Sequence, residues 1–76
     1  MDALAAIAWV EENQYKIIGW LSNKLMFTPY GMDDFLQDAN KIALVAANKI
    51  AAGEATEEFH LVFWQLFKEE VAAVVS

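Results

Sequence analysis

Proline occurs once in this 76-residue chain and glycine three times, at Pro29, Gly19, Gly31 and Gly53, and this scarcity of breakers most limits what the chain can fold into. Proline removes a backbone donor and clashes with the preceding turn, whereas glycine supplies the left-handed residue that ends many helices. Thr28-Pro29-Tyr30-Gly31 and Gly53 therefore divide the chain into three long segments. In none of them do β-branched residues alternate with polar ones for long enough to read as a strand. Apolar residues recur instead at three-, four- and seven-residue spacings, which is a helical pattern throughout.

The first segment, about 2–27, places Ile7, Val10, Ile17, Ile18, Leu21 and Leu25 near one another, with Glu11, Glu12, Lys16 and Asn23 mostly opposite. Gly19 costs about 1 kcal/mol of helix propensity relative to Ala but removes bulk, so it predicts a close helix crossing beside Trp20. The second segment, 29–52, carries an inner stripe of Phe35, Ala39, Ile42, Ala46 and Ile50, with Gly53 as its stop. Its start is open between Thr28 capping a helix with Pro29 at the first position and Asp33 capping a later one. The third segment, 56–75, has Thr56 as cap and Glu57 and Glu58 in its first turn. Its apolar face is Phe59, Phe63, Leu66, Phe67, Val71 and Val74, widened by Val62 and Trp64. Short connections favour helices that fold back on one another, so the expectation is an all-α, small three-helix bundle forming a single domain over 1–76.

Hydrophobic residues make up 58% of the chain, including three Trp and five Phe. A chain this short buries only about 60% of its extended surface, so the surplus implies wide apolar faces or a second molecule. Self-association as a helical structural or regulatory homo-oligomer is one expectation that follows. The absence of Cys removes disulfides and thiolate chemistry and leaves His60 as the one strong neutral ligand for a transition metal. His60 has no paired Ser, and there is no glycine-rich phosphate loop or nucleophile elbow. No enzyme activity, metal, cofactor or small-molecule ligand is therefore expected. The chain has no run of eighteen apolar residues and no basic segment before its first apolar stretch, which predicts neither a membrane span nor a secretory signal and a cytoplasmic location.

With eleven acidic and five basic residues the net charge is −6, and all five cations are Lys. That balance disfavours direct DNA binding, whose affinity comes mainly from Lys and Arg. Phe59, Phe63, Trp64 and Phe67 could stack unpaired bases, but their spacing is equally that of a core stripe, and Lys68 is followed at once by Glu69 and Glu70. Trp64 and Lys68 are the candidate nucleic-acid contacts. A protein partner is favoured. Asp34 and Asp38 lie one turn apart with Gln37 between them, so the amide adds directional hydrogen bonding to an acidic face. Asp33, Asp34 and Asp38 also suit the positive amino end of a helix, and they lack the spacing of a calcium loop. Trp9, flanked by Ala5, Ala6 and Ala8, is the candidate interface anchor.

Asp34-Phe35-Leu36-Gln37-Asp38-Ala39 resembles the helical Asp-Leu-x-Gln-Glu segment in the core of region 2 of the sigma-70 family of bacterial transcription initiation factors. Phe59 followed by Phe63-Trp64-Gln65-Leu66-Phe67 is similar to that family's later aromatic helix, and Trp9 to Tyr15 with Ile17 to Leu25 looks like its first helix. The resemblance covers about residues 7–72. It implies that Asp34, Gln37 and Asp38 form the surface that engages the clamp helices of RNA polymerase. It also implies promoter contact by basic and aromatic residues of the later helix, but here Arg is absent and Glu57, Glu58, Glu69 and Glu70 flank the aromatics. The resemblance is thus more consistent with a small sigma-like module, a phage or accessory regulator that binds polymerase, than with a complete initiation factor.

Overall fold

The computed structural model describes residues 2–24 and 31–75, and these contain helices and no strand. The all-α expectation holds. The first segment, however, carries two helices, α1 (Ala3–Glu12) and α2 (Gln14–Lys24), so that with α3 (Met32–Ala51) and α4 (Phe59–Val75) the described residues hold four helices where three were expected.

The extra boundary is made by Asn13. Its backbone N–H and its side-chain Nδ2 both donate to the Trp9 carbonyl, at 3.0 and 2.9 Å, closing α1. Its own carbonyl accepts from the N–H groups of Lys16 and Ile17, at 3.0 and 3.1 Å, opening α2. Asn side chains compete with the helix for backbone partners, and here that competition lets one residue end a helix and begin the next. The apolar stripe hides the boundary: buried Ala6, Val10, Ile17 and Leu21 stand four, seven and four residues apart, which is the register of an unbroken helix. At the front of α1, Asp2 Oδ1 accepts from the Ala5 N–H at 2.8 Å and caps it.

Gly31 is the amino-terminal cap residue of α3, in extended backbone, so Asp33 is not a cap but lies with Asp34 in the first turn. The alternative start at Thr28 and Pro29 lies outside the described residues. The carboxyl end of α3 closes as the sequence predicts. Gly53 has φ +76°, its N–H donates to Ile50 O at 3.1 Å, and the Glu54 N–H reaches back to Lys49 O at 2.9 Å. These two bonds form a Schellman motif, which satisfies carbonyls that the helix leaves open. By contrast α4 begins at Phe59, three residues after the expected start, because the Glu58 carbonyl takes the first bonds, from Leu61 and Val62. Thr56 therefore does not cap α4, and Glu57 and Glu58 precede the helix.

α3 is the central element, with α1 and α4 packed along it and α2 against it near the α1 junction. Its buried face is Phe35, Ala39, Ala43, Ala46 and Ala47, while Ile42 and Ile50 are only partly covered. The α4 face is Phe59, Val62, Phe63, Phe67 and Val71, with Leu66 half-buried and Val74 exposed. Phe35, Phe63 and Phe67 are fully buried, each contributing about 1.5–3 kcal/mol of apolar burial. No polar or charged side chain is buried among the described residues. Gly19 does not mark a helix crossing: it is exposed, and a methyl group there would meet nothing within 4 Å.

Candidate functional site

The rings of α4 organise the surface as well as the core. Phe63 and Phe67 stack with centroids 5.4 Å apart and planes at 14°, and Phe59 continues the row at 6.3 Å from Phe63. An indole from each of the first two helices closes over this row. Trp9 of α1 sits 4.8 Å from Phe63 and 5.2 Å from Phe59, whereas Trp20 of α2 sits 5.8 Å from Phe67 and 5.9 Å from Trp64, edge to face with the latter. Tilted and edge-to-face pairs of this kind add about 0.5–1.5 kcal/mol each beyond buried area. Trp9, the expected interface anchor, is thus half-buried and joins α1 to α4.

Three lysines gather where Trp20 and Trp64 meet. Lys24 Nζ lies 5.6 Å from the Trp20 ring centre, and Lys68 Nζ lies 6.0 Å from Trp20 and 5.8 Å from Trp64. Lys16, whose Nζ is 5.8 Å from the Tyr15 ring, lines the other side of the same pair. A cavity of about 310 Å³ opens between Trp20, Lys24 and Lys68 over a floor of Val71 and Ala72. A second, of about 260 Å³, is bounded by Lys16, Trp20, Trp64 and Lys68. The expected candidates Trp64 and Lys68 therefore belong to one cluster, which Lys16, Trp20 and Lys24 complete. A signal for it was present: Lys16, Trp20 and Lys24 are each four residues apart on α2, as Trp64 and Lys68 are on α4, so each set shares a helix face.

The acidic candidates occupy a different surface. Asp34 and Gln37 are exposed on α3, one turn apart, and Asp38 is half-buried. Gln37 borders a cavity of about 240 Å³ whose other walls include Glu11 and Gln14, so the polar face of α3 continues onto the α1–α2 junction. His60 is exposed, with Nδ1 3.4 Å from Glu58 Oε2, away from any second imidazole. Among the described residues no three His, Asp or Glu side chains converge to hold a metal ion, and no helix is long and apolar enough to cross a membrane. No protein-family model matches this chain, and no curated protein or solved structure matches it.

Proposed function

We propose that this chain is a noncatalytic protein-interaction domain that works through the outer face of α3, and that its partner is bacterial RNA polymerase, engaged in the cytoplasm in the manner of sigma-70 region 2. The observation that carries this reading is the exposure of Asp34 and Gln37 on one face of α3 while the opposite face is fixed by Phe35 and the buried alanines. A rigid helix presenting a carboxylate and an amide one turn apart suits a basic partner helix, because the charge attracts and the amide sets register. Glu11 and Gln14 across the adjoining groove extend that polar surface onto a second element.

Purified core polymerase and the tagged domain test the reading directly. The wild-type domain is expected to retain polymerase, and an Asp34→Ala, Gln37→Ala variant to bind at least about tenfold more weakly, a loss of about 1.4 kcal/mol. Both side chains are exposed, so circular dichroism of the variant is expected to match the wild type. Equal retention of both proteins, or none of either, would overturn the assignment. A second reading, self-association, draws on Leu4 and Leu61, which remain 80% and 53% exposed. It predicts a dimer mass in light scattering at tens of micromolar that Leu4→Ser reduces to the monomer.

A further inference from the structure

We propose that the groove formed by Lys16, Trp20 and Lys24 of α2 with Trp64 and Lys68 of α4 docks a short acidic segment of a partner protein. Such a segment would lay an apolar side chain against the indoles and set its carboxylates beside the lysines. The surface is anomalous for this chain. Acidic residues outnumber lysines eleven to five, yet three of the five lysines sit together here, and among the described residues none of the three is ion-paired. Two of them hold their ammonium groups over the half-buried rings of Trp20 and Trp64. An ammonium beside an aromatic face attracts an anion while the ring offers apolar contact, so the two chemistries are presented at one place.

The size of the groove and the charge around it choose the occupant. The cavities of about 310 and 260 Å³ share Trp20 and Lys68, and together they are bordered by three lysines, Lys16, Lys24 and Lys68. A single small anion would use one of them; a peptide with several carboxylates can use all three. A nucleic-acid strand fits less well, because it carries a phosphate at every nucleotide and its affinity grows with the number neutralised, and this groove supplies only three lysines and no Arg. A short acidic segment needs only two or three cationic partners, which the three lysines supply, and its apolar side chain can cover the indoles. The groove lies apart from the α3 face and goes beyond the role proposed for it, so either can fail alone.

The test follows the indole N–H signals of Trp9, Trp20 and Trp64 by NMR in the full chain labelled with nitrogen-15. The probes are a hexapeptide of Glu, Phe and Leu and its counterpart with every Glu replaced by Gln. The Trp20 and Trp64 signals are expected to shift and saturate with the Glu peptide while Trp9 stays in place, with the Gln peptide at least about tenfold weaker. Replacing the exposed pair Lys24→Gln, Lys68→Gln is expected to weaken Glu-peptide binding to the same extent with Trp9 unmoved, and Asp34→Ala, Gln37→Ala to leave it unchanged. Absence of shifts at millimolar Glu peptide overturns the proposal. So does an equal response to the Gln peptide, which would mean that the lysine stems only shield the indoles. Tighter binding of a ten-residue oligothymidylate at the same salt would assign the groove to single-stranded nucleic acid instead, and shifts that follow protein concentration alone would assign it to a second copy.

Discussion

A methyl group added at Gly19 meets open space on the exposed side of α2, so Gly19→Ala gains helix propensity with nothing displaced. The expected stabilisation is about 0.5–1 kcal/mol, read as a rise in thermal midpoint of about 4–8 °C per kcal/mol for a domain of this size. Gly53 also has room around it, but its φ of +76° is a left-handed conformation that an L side chain resists. Gly53→Ala is expected to lower stability by about 1–2 kcal/mol in the same assay. Opposite signs from one substitution separate backbone conformation from crowding; a loss of stability at Gly19 would contradict the open space seen there. Gly53 was legible in the sequence because it follows the end of an apolar stripe. Asn13 was not, because the stripe passes through it in phase, and only the competition of its side chain for the Trp9 carbonyl marks the boundary.

The buried face of the central helix consists, apart from Phe35, of its smallest side chains. Ala39, Ala43, Ala46 and Ala47 are all buried, so neighbouring helices approach the α3 backbone where a longer residue would hold them off. Ala43→Leu is expected to cost about 1–3 kcal/mol through overpacking, and Val45→Leu, on the exposed side, to change stability by less than about 0.5 kcal/mol. Urea denaturation of the two variants checks this; equal midpoints would mean that the alanine face can open to admit a leucine. Periodicity identified the inner side of α3 but gave Ile42 and Ile50 the inner places, since hydrophobicity ranks them above alanine. The observed face is rotated toward the alanines because close approach rewards small volume there. At α4 the apolar face was read correctly in Phe59, Phe63, Phe67 and Val71, while the start was misplaced, as Thr56 lies three residues ahead of the first helical residue.

At the scale of the whole molecule the margin is narrow. Net stability of about 0.05–0.15 kcal/mol per residue gives roughly 4–11 kcal/mol for 76 residues, and removing a buried Phe ring costs about 3–5 kcal/mol. Phe63 touches both the α4 ring row and Trp9, so Phe63→Ala is expected to take away a large part of that total and to leave a broad or absent thermal transition. A sharp transition close to the wild-type midpoint would show that the ring row is not the keystone of the core. Charge acts over the same scale. The radius of gyration is 12.3 Å, well inside the screening length of about 30 Å at 0.01 M salt but beyond that of about 8 Å at 0.15 M. Self-repulsion from the net charge of −6 should therefore relax between these conditions, and the urea midpoint is expected to rise with salt. The acidic face of α3 could be found from the sequence because its residues are neighbours on one helix. The lysine–indole groove could be found only in halves, because no periodicity states which face of α2 meets which face of α4.

The meeting of Trp20 and Trp64 also gives the molecule an optical signature of its own assembly. Two indoles 5.9 Å apart at 72° are close enough for their transition dipoles to couple, and a chiral arrangement of such dipoles produces paired bands of opposite sign in circular dichroism. The coupling exists only while α2 and α4 are docked, whereas the helical signal reports each helix wherever it is. Loss of the paired bands before loss of helix content would thus record the separation of the two elements as an event distinct from their melting, in the unlabelled chain.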